Sequence, residues 1–140
     1  MKSENKKTKI LAVGDIHGDT GLVEKLAEKA EKENVDVVIL AGDLTFLEES
    51  TKNLIGPFVK KGKEVFIIPG NHESNITTDY LATKYSVKNL HGYSFKKNNL
   101  GFFGAGGVML IVQLGFENPW PATIGFVLFI IGIRIKIHMG

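Results

Sequence analysis

Cysteine is absent from the chain, so neither a disulfide framework nor a thiolate metal site can be built, which suits a reducing cytoplasm. Charge of one sign is lacking too. Seventeen Lys and Arg stand against 15 Asp and Glu, and a net +2 spread along the chain gives no nucleic-acid signature. The one basic cluster, Lys2, Lys6, Lys7 and Lys9, reads as a solvated N-terminal tail, residues 1–8, that runs into the following segment at Lys9. Long hydrophobic runs are missing as well. Ile10 to Val13 is too short for a signal peptide, and the longest apolar stretch, Ala122 to Ile133, has 12 residues where a bilayer needs about 20. The expected location is therefore the cytoplasm. Histidine is scarce, with four in 140 residues, so the placing of each is informative. One of them, His17, stands two residues after Asp15 in "AVGDIHGDTG".

Lys9 to Val13 reads as a short buried strand ended by Gly14 and Asp15. Leu22, Val23, Leu26, Ala27 and Ala30 then recur at helical spacing between Glu and Lys residues, the pattern of an amphipathic helix. Val35 to Ala41 is an almost continuous β-branched run, as in a strand buried on both faces. A weaker helix is expected over Glu48 to Lys60, a third strand over Glu64 to Ile68, and a short helix around Asp79 to Tyr85. A hairpin follows, with arms Tyr93 to Phe95 and Leu100 to Gly104. This β-α-β-α-β order predicts an α/β fold with a parallel sheet, whose ligands gather at the carboxyl ends of the strands.

Those ends carry "GDIHGD", "GDLT" and "GNHE". Taken singly, each Asp or Asn is an ordinary turn or cap residue, and His17 an ordinary loop histidine. Together they put Asp15, His17, Asp43, Asn71 and His72 on one rim, as oxygen and nitrogen donors of the kind that hold first-row divalent metals. Two aspartates brought together repel unless a cation lies between them. The glycines follow neither the dinucleotide-binding nor the P-loop spacing.

In order and spacing, "GDIHG", "GDLT" and "GNHE" resemble the first three motifs of the calcineurin-like metallophosphoesterases, over roughly residues 8–106. The resemblance implies the first half of a four-layer α/β/β/α sandwich with a dinuclear site at the sheet ends, hydrolysing phosphomonoesters or phosphodiesters. By the same resemblance Asp15 and His17 hold the first metal, Asp43 bridges both, and Asn71 binds the second and orients the phosphate. His72 is the catalytic residue near the leaving group, with Glu73 holding it in one tautomer. The implied cofactors are two divalent ions among Mn, Fe, Ni and Zn, and the implied partner is a phosphate ester.

Family members add a further histidine and a Gly-His-x-His motif in their second half. Here only His91 and His138 remain, and no His-x-His occurs. The alternative function is accordingly an inactive remnant or a module binding one metal or none. Composition also changes near Gly107: only Glu117, Arg134 and Lys136 of the 32 charged residues follow it, together with the only Arg and the only Trp, Trp120. The expected organisation is a basic tail over 1–8, a metallophosphoesterase-like half-domain over 9–106, and an atypical apolar tail over 107–140 that is truncated family sequence or out of frame. A half sandwich would leave one sheet face bare and open to self-association.

Overall fold

The computed structural model describes residues 7–49, 51–98, 100–106, 109–114, 125–129 and 135–138. Three parallel strands, β1 (Lys9–Val13), β2 (Val37–Ala41) and β3 (Glu64–Ile68), alternate with α1 (Thr20–Lys32) and α2 (Gly56–Lys60). Helix α3 (Asn75–Tyr85) then leads to the two-residue β4 (Lys88–Asn89), parallel to β3. A second, antiparallel sheet runs β5 (Ser94–Lys97), β6 (Leu100–Ala105), β7 (Met109–Leu114), β8 (Gly125–Phe129). The last strand, β9 (Ile135–His138), returns to the first sheet and pairs antiparallel with β1, giving the order β4-β3-β2-β1-β9.

Alternation along the strands divides the apolar residues between two cores, because successive side chains point to opposite faces. Leu11, Val13, Val38, Leu40, Val65 and Ile67 meet the helices through Val23, Leu26, Ala27, Phe58 and Leu81. Ile10, Ala12, Val37, Ile39, Phe66 and Ile68 face the second sheet and meet Leu90, Leu100 and Phe102. That inner face is buried in the structure. The rings of Phe66, Phe95 and Phe102 stack across the gap, with centroids 3.7 and 4.4 Å apart. Since Phe102 lies at the end of this stack and is fully enclosed, Phe102→Ala is expected to cost about 3–5 kcal/mol in urea denaturation. A loss below about 1 kcal/mol would mean that the stack does not hold the sheets together.

Several element boundaries differ from the sequence reading. The second helix begins at Gly56 rather than Glu48. Pro57 sits in its first turn, where its missing N–H costs nothing, and upstream Leu47, Glu48 and Asn53 adopt left-handed backbone that no helix accommodates. Strand β2 begins at Val37, two residues later than expected. Before it, Asp36 turns back to β1, its N–H donating to the Lys9 carbonyl and its Oδ2 accepting from the Lys9 N–H at 2.8 Å. Helix α3 begins four residues earlier than expected, because Ser74 caps it by accepting from the Thr77 N–H. The hairpin register pairs Lys97 with Leu100, and Asn98 at φ 52° supplies the left-handed residue that a two-residue turn needs.

Candidate metal centre

The three motif loops leave the carboxyl ends of β1, β2 and β3 side by side and are stitched together by main-chain hydrogen bonds. The N–H groups of His17 and Gly18 donate to the carbonyls of Asp43 and Leu44, both at 2.8 Å, and Gly42 N–H donates to Ile68. Asp15, His17 and Asp43 all lie in the left-handed region, at φ 52°, 46° and 50°. Non-glycine residues are uncommon there, and three in one cluster indicate a backbone bent to aim side chains rather than to relax. Asp19 ends this segment as the N-cap of α1, accepting from the Leu22 N–H at 2.8 Å.

One donor atom from each of Asp15, His17 and Asp43 can be chosen so that all three lie within 4.8 Å of one another. His17 Nε2 is 3.7 Å from Asp15 Oδ1. An ion held at about 2.0–2.2 Å from each donor spaces two of them by at most about 4.4 Å, so a small side-chain rotation closes the cluster. Two carboxylates and an imidazole suit a first-row divalent ion, and the residues fit one.

Asp43 is the pivot of the site. It is buried, and its Oδ1 accepts the main-chain N–H groups of Asn71 at 2.9 Å and His72 at 3.0 Å. Two amides on one oxygen fix the carboxylate and leave its second oxygen as the one that can face a cation. Gly70 is required by the same arrangement: a Cβ there would stand 2.1 Å from Asp43 Oδ1 and 2.3 Å from its main-chain nitrogen. Asn71 is exposed and joins the cluster through its amide, while His72 packs against His17 with ring centroids 4.8 Å apart.

Glu73 departs from the role expected of it. Its Oε1 accepts from the N–H groups of Leu44 at 3.1 Å and Gly70 at 3.3 Å, while its Oε2 and the Nδ1 of His72 are both buried without a hydrogen-bond partner among the described residues. Glu73 therefore ties the second and third loops together instead of orienting His72. Burial pushes its carboxyl above the usual range, and the charge of Asp43 adds to this against the opposing amide hydrogen bonds. His91 is not among the three clustered donors; its Nδ1 accepts the Gly106 N–H at 2.6 Å. His138 belongs to β9.

Sequence reasoning passed over Phe46 and Glu48, which follow the second motif. Phe46 stacks on His72, and Glu48 Oε1 accepts from the Ser74 N–H at 2.7 Å and from Thr77 Oγ1 at 2.9 Å. The only available signal was an aromatic directly after "GDLT". Hydrogen bonds from Ser74, then Thr77, hold the Glu48 carboxyl below its ordinary value. A carboxylate depressed on folding adds stability above its unfolded pKa, about 4.3, and loses it as pH falls through the lower folded value. Glu48→Gln is thus expected to lower the melting temperature near pH 7 and to lose that deficit in acid; an equal deficit at all pH values would contradict the linkage.

Comparison with known proteins agrees with this geometry. The sequence model of the calcineurin-like phosphoesterase family matches residues 8–130. No curated protein matches the sequence significantly. Among solved structures, TT1561 of Thermus thermophilus superposes with a TM-score of 0.59 at 18% identity, over 73% of this chain and 50% of that one. The chain thus spans half the length of that protein. A conserved uncharacterized protein from Streptococcus pneumoniae, described as a predicted phosphoesterase, aligns at 15% identity over 87% of this chain and 98% of its own, with a TM-score of 0.35. Among the described residues no helix is long and apolar enough to cross a membrane. With three motif loops converging on Asp43 and a family match over most of its length, the chain belongs to the calcineurin-like phosphoesterase family.

Proposed function

We propose that the protein hydrolyses a phosphate monoester or diester with divalent metal bound at Asp15, His17, Asp43 and Asn71. The observation that carries this is the gathering of the Asp15, His17 and Asp43 donors within 4.8 Å at the ends of two adjacent parallel strands. Divalent metal held by these residues would supply an activated water and neutralise phosphate charge during in-line attack. The chain's own residues supply the positioning. Asp43, held by the main-chain N–H groups of Asn71 and His72, connects the Asp15–His17 pair to the third loop and would be the residue to share if two ions were bound. Asn71 orients the phosphate, and His72, beside His17, protonates the departing alkoxide. Mn, Fe, Ni and Zn all suit these ligands, and the cytoplasm suits a chain without cysteine.

A second reading is favoured by the histidine count: no His-x-His occurs, and His91 is engaged by Gly106. In that reading the chain is an inactive remnant holding one ion or none, and the coding sequence is disrupted near Gly107. Self-association through the inner face of the first sheet would need those residues, which are buried, to be uncovered. Metal counting by mass spectrometry, together with hydrolysis of p-nitrophenyl and bis-p-nitrophenyl phosphate in Mn²⁺, separates the two. Two ions and turnover support the phosphoesterase; at most one ion without turnover supports the remnant. A Gly-His-x-His motif in another reading frame past the Gly107 codon would add weight to the disruption.

A further inference from the structure

Phe46 is 51% exposed although it stands beside the most polar part of the molecule. A lone exposed aromatic is ordinary on a protein surface. What sets this one apart is how it is held and what it touches. Its ring stacks on His72 at 5.5 Å between centroids, with planes 29° apart, and meets His17 edge-on at 6.2 Å. With His72 against its ring, about half of the residue is still left to solvent.

The loop beneath it is built to keep that pose. Thr45 is fully buried; its Oγ1 donates to the His72 carbonyl at 3.4 Å and accepts from the Glu48 N–H at 3.2 Å. Glu48 in turn grips Ser74 and Thr77, and Phe46 bridges to Glu49. Leu47 and Glu48 adopt left-handed backbone, at φ 49° and 63°. Strain at two consecutive non-glycine residues persists only where the surroundings over-determine it, here through bonds to the segment carrying His72. A loop held in this way fixes where the Phe46 ring emerges beside His72.

Resting on the phosphoesterase reading above, we propose that Phe46 is a specificity-determining residue whose free face takes the planar ring of an aryl phosphate ester. A phosphoryl group at Asp15, His17 and Asp43 would put a ring attached directly to the ester oxygen beside His17, which Phe46 borders at 6.2 Å between centroids. Offset stacking rewards a flat aromatic group, while an alkyl ester leaves the Phe46 face in water.

Non-hydrolysable phosphonates test this without relying on turnover. Phenylphosphonate and methylphosphonate are titrated calorimetrically, in Mn²⁺, into the wild-type chain and into Phe46→Ala, Phe46→Leu and Leu47→Ala. Leu47 is the control, exposed in the same loop. The wild type is expected to bind phenylphosphonate about three- to tenfold more tightly than methylphosphonate. Both Phe46 variants should lose most of that preference while keeping their affinity for methylphosphonate, and Leu47→Ala should keep both. A preference that survives in Phe46→Ala, or vanishes equally in Leu47→Ala, overturns the assignment. Equal binding of the two phosphonates by the wild type removes this inference alone; binding of neither removes the phosphoesterase reading with it.

Discussion

Asp43→Asn is expected to abolish metal-dependent stabilisation and any phosphoesterase turnover while leaving the fold intact. The substitution keeps an oxygen able to accept the Asn71 and His72 amides, the contacts that hold the third loop. It removes the negative charge from the buried centre of the cluster, where Asp15 and His17 supply the remaining donors. An ion that binds only the folded chain stabilises it by about 2.7 kcal/mol at a hundred times its dissociation constant. Thermal melts with and without Mn²⁺ should show that increment in the wild type and not in the variant, with similar melting temperatures when metal is withheld. A variant that is still stabilised by Mn²⁺ would place the ion elsewhere.

Gly70→Ala should be the most damaging single methyl group in the site. The added Cβ would meet Asp43 Oδ1 at 2.1 Å, its main-chain nitrogen at 2.3 Å and its Cγ at 2.9 Å. The neighbours are backbone and a carboxylate already held by two amides, so neither can swing aside as a flexible side-chain end would. Either the third loop moves away, breaking the hydrogen bonds of Asn71 and His72 to Asp43, or the strain stays. We expect a loss of about 3 kcal/mol or more in denaturant unfolding, with loss of Mn²⁺ binding. Gly18→Ala is the comparison: no described residue lies within 4 Å of its Cβ, so only the cost of its φ of +76° applies. Equal damage from the two would show that steric exclusion at Gly70 is not the cause.

Much of the first sheet was legible because its strands are buried on both faces and read as unbroken apolar runs. Lys9–Val13 and Glu64–Ile68 have the expected bounds, and Val23, Leu26, Ala27 and Ala30 face the core as their spacing predicts. Residues whose conformation is set by tertiary contacts were harder to place. Glu48 looks like a helix former, yet it bonds Ser74 and Thr77 across the site from a left-handed backbone. Glu73 looks like a partner for its neighbour His72, yet its carboxylate is spent on Leu44, 29 residues away, and on Gly70. The strands β7, β8 and β9 carry no alternation that separates them from a buried helix, and only pairing with β6 and β1 defines them. The expected boundary at residue 106 and the tail over 107–140 fall largely on side chains outside the described residues, although the family match runs on to residue 130. For the site, the motifs identified which residues meet, and the structure added why they stay together: Gly70 beneath Asp43, and two amides on one oxygen.

If Asp15, His17 and Asp43 form one divalent-metal site, titration of Mn²⁺ followed by electron paramagnetic resonance will register it. Saturable loss of the free Mn²⁺ signal is expected, with at least one ion per wild-type chain and affinity weakened at least about tenfold by Asp15→Asn, His17→Gln or Asp43→Asn taken singly. Free Mn²⁺ that persists at every protein concentration, or binding that none of the three substitutions changes, would contradict it.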